Sequence, residues 1–196
     1  SSAPEEGVVR GIQNVLSEAG IVPQDVSMFL HGTTLATNAI IERKGATTAL
    51  ITTDGFRDVI EIGYESRYNQ YDILIDKPAP LVPRERRFSV PERVDINGRV
   101  LRELDEKAVK GLIPKIRQAG VESIAVGFLH GYANPQHERR VAEIISGVLP
   151  DLSITLSAEV CPEIREFERL TTATANAYVR PLMSRYLDNL KFRLKE

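Results

Sequence analysis

The chain has 196 residues, of which 42% are hydrophobic and 27% are charged, a composition typical of a globular protein. Its formal net charge of -2 argues against a protein that binds the phosphate backbone of nucleic acids. A single cysteine, Cys161, excludes an internal disulfide, and no apolar run reaches the roughly 18 residues that a membrane span requires.

The first segment, residues 1–63, alternates predicted helices and strands. Apolar residues recur at helical spacing over Pro4–Ala19. Residues 26–30 form a short apolar run typical of a buried strand, and the helix that follows ends before Gly45. Residues 47–53 form a second run of this kind. This alternation predicts an α/β fold with a mostly parallel sheet and flanking helices.

The middle segment, residues 64–104, is predicted to be a connecting loop followed by a hairpin. Residues 64–87 are polar, aromatic and proline-bearing without a sustained period, which indicates an extended connection or a functional loop. Residues 88–94 are consistent with a strand, and Asn97-Gly98 is a strong signal for a hairpin turn.

The third segment, residues 105–196, returns to alternating helices and strands. Its predicted elements are a helix capped by Asp105, a strand over 123–129, a helix from Pro135, a strand over 153–156 and a long helical stretch over 163–195, bent or broken at Pro181. This order extends the predicted parallel sheet.

The sequence around His31 is the first candidate site. A predicted strand ends there, Gly32 allows a tight turn, and a helix follows, so free backbone N–H groups and the helix dipole favour an anion. Thr33 and Thr34 add hydroxyl donors, and His31 is suited to proton transfer or substrate contact. The alternative is a well-capped turn in which His31 is only hydrogen-bonded.

A polar stretch within the last helix is the second candidate. Helical spacing places Glu166, Arg169 and Asn176 on one face, within a run rich in threonine that includes Thr172. Such residues are only moderate helix formers, which indicates a polar contact or close packing. A charged turn followed by an interface helix explains the pattern equally well.

Other polar residues give weaker signals. Asp58 and Glu61 follow a predicted strand, but a turn into a short helix explains them better. His130 and His137 lack a convincing third ligand, so we expect no metal site. Cys161 has no histidine nearby in sequence and is not expected to be a nucleophile.

Several segments, in order along the chain, resemble the N-terminal region of the hydantoinase A and 5-oxoprolinase family. They are HGTTLATNAIIERKG at 31–45, TTDGFRD at 52–58, ERVD at 92–95, LHGYANPQHE at 129–138, EFER at 166–169 and NAYVRP at 176–181. The resemblance covers nearly the whole chain, and the ordered set is specific.

The resemblance implies an enzyme that couples ATP hydrolysis to the opening of a cyclic amide, such as a hydantoin or 5-oxoproline. It implies ATP and Mg²⁺ as cofactors and a fold similar to the actin and sugar-kinase-like ATPases. Phosphorylation of an amide or enol oxygen is the implied chemistry. Carboxylation of a ketone is the alternative, since the family also includes acetone carboxylase subunits.

The sequence departs from the family at its start. The family normally opens with an Asp-x-Gly-Gly-Thr hairpin that grips phosphate and Mg²⁺, and no such segment precedes Ser1. We therefore expect one incomplete N-terminal domain that lacks the main phosphate loop and is inactive in isolation.

On this basis two sets of site residues are predicted. The catalytic set is His31, Thr33 and Thr34, and the substrate-binding or nucleotide-binding set is Gly32, Asn38, Glu166, Arg169, Thr172 and Asn176. The expected partners are a small cyclic amide, the rest of the same polypeptide and a second, larger subunit in an oligomer. A non-catalytic assembly module and, more weakly, a sugar-kinase-like regulator are the competing hypotheses. Since the N-terminus lacks the features of a signal peptide, we expect a cytoplasmic protein.

Overall fold

A computed structural model describes residues 4–64, 71–72, 74 and 78–194. The backbone divides into two compact units: unit 1 comprises Ser1–Lys44 and Leu182–Glu196, and unit 2 comprises Gly45–Pro181. The predicted division into residues 1–63, 64–104 and 105–196 stays a prediction. Part of the predicted connecting loop (residues 65–70, 73 and 75–77) lies outside the described residues.

Helices and strands alternate along most of the described chain. The strands are β1 (Thr48–Thr53), β2 (Arg87–Val90), β3 (Arg93–Val94), β4 (Val100–Arg102), β5 (Ser123–Gly127) and β6 (Ser153–Leu156). The α-helices are α1 (Pro4–Ala19), α2 (Leu35–Ile41), α3 (Val59–Ile62), α4 (Glu106–Gln118), α5 (Gln136–Ser146), α6 (Ser157–Val160) and α7 (Glu166–Arg193). Short 3-10 helices lie at Pro23–Asp25 and Arg84–Arg86.

A four-stranded parallel sheet forms the centre of unit 2. Its strand order is β2-β1-β5-β6, and every neighbouring pair is parallel. All residues of β1 and β5 are buried, as expected for central strands that are covered on both faces. The predicted α/β class with a mostly parallel sheet and flanking helices is confirmed.

Alternation along β1 assigns its side chains to two apolar layers. Ala49 and Ile51 belong to a cluster with apolar residues of α4 and α5. Leu50 belongs to the other cluster, together with Leu170 and Ala173 of α7. Because successive strand residues point to opposite faces, the sheet lies between two helical layers.

The predicted hairpin and helix cap in unit 2 are both present. Strands β3 and β4 pair antiparallel, and Gly98 between them has a φ of +78°. Asp105 caps α4, since its carboxylate accepts a 2.9 Å hydrogen bond from the N–H of Ala108. Helix α7 continues through Pro181, so the predicted break does not occur at that residue.

In unit 1, the prediction of a buried strand over residues 26–30 is wrong. These residues have no strand assignment, and Met28 and Leu30 are 72% and 84% exposed. A strand is stable only when its backbone groups pair with a neighbour, and the described part of unit 1 contains no strand. The apolar run is therefore unpaired within the described part of the chain.

No helix among the described ranges is both long and apolar enough to cross a membrane.

Candidate functional site

His31 lies in unit 1 and is held on two sides. Its Nε2 lies 2.6 Å from the hydroxyl oxygen of Tyr186, a residue of α7 that also belongs to unit 1. The imidazole stacks on Phe29, with ring centroids 6.1 Å apart and an interplanar angle of 7°. These contacts fix the ring plane and leave Nδ1 without a partner among the described residues.

The two threonines beside His31 make local hydrogen bonds. The N–H of Leu35 donates to Oγ1 of Thr33 over 3.2 Å, and the side-chain amide of Asn38 donates to Oγ1 of Thr34 over 3.4 Å. Thr34 occupies the N-cap position of α2, but its side chain does not bond to a helical N–H. Both threonines are exposed, so their hydroxyl protons remain available to a ligand.

The predicted setting of this turn needs correction. The sequence places Gly32 and its neighbours after a buried strand, at the carboxyl edge of the sheet, whereas residues 26–30 form no strand. Helix α2 has only seven residues, which makes it a weak source of helix dipole. The predicted roles of His31, Thr33, Thr34 and Asn38 therefore depend on side chains. These roles, and the binding role of Gly32, stay predictions.

The second predicted group lies on the part of α7 that belongs to unit 2, where Arg169 is fully buried. Its Nη2 donates to the carbonyl of Phe128 over 2.8 Å, and its Nη1 donates to the carbonyl of Glu163 over 2.9 Å. The guanidinium also lies over the ring of Tyr132, 5.4 Å from the centroid. Arg169 thereby joins α7 to the backbone that follows β5.

The other three members of this group differ in exposure. A carboxylate oxygen of Glu166 lies 3.8 Å from Nη2 of Arg169. The amide oxygen of Asn176 accepts a 3.2 Å hydrogen bond from the hydroxyl of Thr155 in β6. Thr172 is exposed. The predicted binding roles of these residues stay predictions, and the first two already have protein partners.

A buried polar chain at the carboxyl edge of the parallel sheet was not predicted. Thr53, the last residue of β1, donates its hydroxyl proton to the buried carboxylate of Glu92, which follows β2. The N–H of Leu129 donates to Oγ1 of Thr53 over 2.9 Å. Glu92 also lies 2.8 Å from Nδ1 of His137 at the start of α5. These hydrogen bonds connect the residues at or just after the carboxyl ends of β1, β2 and β5.

His137 presents its second nitrogen toward Glu103. The two side-chain atoms are 3.8 Å apart, and Nε2 of His137 has no hydrogen-bond partner within the described residues. Both residues line a cleft of about 430 Å³ together with Arg139 and Arg140. The described ranges contain no group of three or more His, Cys, Asp and Glu residues that could hold a metal ion.

Glu138, next in the chain, is a buried carboxylate with three donors. It accepts hydrogen bonds from the N–H of Phe128 (3.0 Å), the hydroxyl of Ser157 (2.7 Å) and the N–H of Ala158 (2.9 Å). Burial raises the pKa of Glu138 above its ordinary value, although these hydrogen bonds act in the opposite direction. The carboxylate satisfies backbone groups at the end of β5 and the start of α6.

Comparison with known proteins identifies relatives along the whole chain. Residues 1–149 match the model of the hydantoinase/oxoprolinase N-terminal region. The caprolactamase subunit alpha of Pseudomonas jessenii is 32% identical over all of this chain and 29% of its own length. The 5-oxoprolinase of Saccharomyces cerevisiae is 32% identical over 96% of this chain and 17% of its own length.

A carboxylase subunit and a solved structure extend these findings. The acetophenone carboxylase gamma subunit of Aromatoleum aromaticum is 32% identical over 86% of this chain and 25% of its own length. The crystal structure of the ATP-dependent caprolactamase from Pseudomonas jessenii matches with a TM-score of 0.85 and 32% identity, over 95% of this chain and 28% of that chain.

The chain thus spans less than a third of each of these relatives. The match to the family model covers most of the chain, and the curated relatives share about a third of its residues. The resemblance predicted from the sequence segments is therefore confirmed: the chain belongs to the hydantoinase/oxoprolinase family and corresponds to its N-terminal region.

Proposed function

We propose that this chain is part of an ATP-dependent hydrolase that opens a small cyclic amide. The observation that carries the proposal is the likeness in both backbone and sequence to a structure described as an ATP-dependent caprolactamase. The identity to a 5-oxoprolinase over nearly the whole chain supports the same class of substrate. A cytoplasmic location and a second subunit belong to the proposal, and the latter is supported by relatives that are named as subunits.

Within this enzyme, the turn at His31 is proposed to contact the substrate. Ring opening breaks the amide C–N bond, with the hydroxyl of a water going to the carbonyl carbon and a proton going to the nitrogen. His31 has a fixed ring plane and a free nitrogen, which suits a group that holds or moves a proton. The exposed hydroxyl groups of Thr33 and Thr34 suit contacts with polar atoms of the substrate.

The described residues do not by themselves fit ATP with Mg²⁺. Mg²⁺ prefers carboxylate oxygens and substrate phosphates, and no cluster of acidic residues suitable for a metal occurs within the described ranges. We therefore propose that ATP is a cosubstrate of the whole enzyme. The part of the active site that this chain supplies is proposed to contact the cyclic amide.

The test is turnover by the full-length enzyme that contains this chain. Release of the ring-opened product, an amino acid from caprolactam or 5-oxoproline and an N-carbamoyl amino acid from hydantoin, is measured with and without ATP. A His31→Gln change should lower kcat by about 100-fold or more, since a positioned proton-transfer group contributes roughly that much. Thr33→Val and Thr34→Val should have smaller effects, and Thr37→Val on exposed α2 is the matched control.

The outcomes separate the candidate functions. Unchanged turnover in His31→Gln would remove the proposed role of His31. Consumption of bicarbonate with acetone or acetophenone, without amide hydrolysis, would favour a ketone carboxylase, which the identity to the acetophenone carboxylase subunit supports. Binding of a partner subunit that is insensitive to His31→Gln and Thr33→Val, without any turnover, would favour the assembly module.

A further inference from the structure

Tyr186 makes a partly buried hydrogen bond with the predicted catalytic histidine. Its side chain is 4% exposed, and its hydroxyl lies 2.6 Å from Nε2 of His31. The two residues are 155 positions apart, so the contact does not result from local geometry. Among the described residues, this hydroxyl has no other hydrogen-bond partner. Packing of the Tyr186 ring alone therefore does not explain why its hydroxyl lies beside Nε2 of His31.

The direction of this hydrogen bond follows from the chemistry of the two groups. The Tyr186 side chain is nearly buried, so its hydroxyl is expected to donate its proton within the protein, and the only acceptor in reach among the described residues is the lone pair on Nε2 of His31. A phenolic O–H is also a better donor than the N–H of a neutral imidazole. Nε2 therefore accepts, and the proton of the neutral ring resides on Nδ1.

We propose that Tyr186 is a positioning residue that holds His31 in the Nδ1–H tautomer and presents this N–H to the amide oxygen of the substrate. Phe29, stacked on the ring, opposes rotation that would exchange the two nitrogens. His31 then acts as a hydrogen-bond donor toward the reacting carbonyl in its neutral form. The inference rests on the proposed function for the identity of the substrate, but the tautomer itself does not.

The other two histidines of the chain provide internal references. His130 lies 3.5 Å from the hydroxyl of Tyr132, a distance too long for a strong hydrogen bond, so its tautomer is not fixed by that contact. His137 faces Glu92 through Nδ1 over 2.8 Å, and a carboxylate accepts from that nitrogen. With three histidines in the sequence, each imidazole can be assigned separately.

The test is long-range ¹H–¹⁵N NMR of the labelled chain, about two pH units above the ordinary imidazole pKa. In the wild type, Nδ1 of His31 should show the shift of a protonated nitrogen and Nε2 that of an unprotonated one. In Tyr186→Phe, the ring should revert to the Nε2–H form that dominates in free imidazoles. Tyr178→Phe, at another buried tyrosine, should leave His31 unchanged, and His130 should not shift in any variant.

Two results would overturn the proposal: a wild-type His31 that carries its proton on Nε2, or a tautomer that is the same in Tyr186→Phe. The first needs no variant and so does not depend on whether the variant folds. In the full-length enzyme, Tyr186→Phe should also lower kcat about tenfold with little change in KM, as expected for one lost hydrogen bond of about 1.4 kcal/mol. An Nδ1–H tautomer in an enzyme without amidase activity would refute the proposed function and leave the positioning role of Tyr186 intact.

Discussion

Similar apolar segments differ in burial and strand pairing between the two units of this chain. In unit 2, all six residues of β1 are buried, and the strand pairs on both sides. In unit 1, residues 26–30 are equally apolar, yet Leu30 is 84% exposed, and the segment pairs with no strand among the described residues. An apolar run therefore does not by itself produce a buried strand, because its backbone groups must also pair with a neighbouring strand.

The largest expected effect tests this contrast directly. Leu50→Ala should lower the free energy of unfolding by about 2–5 kcal/mol, since it removes a fully buried side chain from the core. Leu30→Ala, the same change at an exposed position, should alter it by less than about 0.5 kcal/mol. Urea unfolding followed by circular dichroism measures both. A comparable loss in the two variants would mean that Leu30 is buried in solution.

A second prediction concerns the buried guanidinium in unit 2. Arg169→Met should destabilise the chain by about 3 kcal/mol, because the carbonyl of Glu163 loses its guanidinium donor and the carbonyl of Phe128 keeps only the N–H of Gly131. Arg165→Met is the matched control, since that side chain is 70% exposed and its positive φ is equally unfavourable for both residue types. The thermal midpoints of the two variants provide the comparison. If Arg169→Met unfolded like the control, the structural role assigned to this residue would be wrong.

Glycine substitutions sharpen the description of packing in unit 2. A Cβ on Gly127 would lie 2.1 Å from a methyl carbon of Leu170, so Gly127→Ala should cost about 2 kcal/mol. At Gly111, within α4, no atom outside the local backbone lies within 4 Å, and Gly111→Ala should stabilise by about 0.5–1 kcal/mol. Chemical denaturation should give opposite signs for the two variants. A Gly127→Ala variant as stable as the wild type would show that the sheet and α7 are not in close contact.

A further expected effect depends on pH. Because the pKa of Glu138 is raised in the folded state, its contribution to stability is complete below the unfolded value of 4.5 and declines as pH rises through the folded pKa. Glu138→Gln does not titrate, so the difference in unfolding free energy between wild type and variant should fall with rising pH, by about 1.4 kcal/mol per pH unit at its steepest. Unfolding curves between mildly acidic and neutral pH measure this slope. A difference that grows with pH would contradict the raised pKa.

Much of the fold could be predicted from the sequence because strand signals in unit 2 are local. Apolar runs between amphipathic helices predicted β1 and β5 to within two residues at each end, and β6 coincides with the predicted 153–156. The cap at Asp105 depends on a contact three residues away, which a sequence pattern can reveal. The prediction of a strand over residues 26–30 was wrong because the sequence of a segment does not show whether a neighbouring strand is available to pair with it.

The candidate site was less predictable, since its contacts join distant residues. The sequence singled out His31, but not Tyr186, which lies 155 positions away. Likewise, Glu92 lies 39 positions from Thr53 and 45 from His137, and no spacing rule connects them. Helical spacing correctly placed Arg169 on α7. It did not predict that Arg169 is completely buried, which depends on its contact with the backbone after β5.

The all-parallel sheet of unit 2 also affects how the chain folds. No two neighbouring strands of that sheet can be joined by a tight turn, and even Ser123 and Ser153, which pair in β5 and β6, are 30 positions apart. Loops of this length must close before any strand pairing contributes, which slows folding relative to proteins built from local contacts. During synthesis β1 therefore leaves the ribosome long before β5 exists, and until then its buried residues have only β2 to pair with.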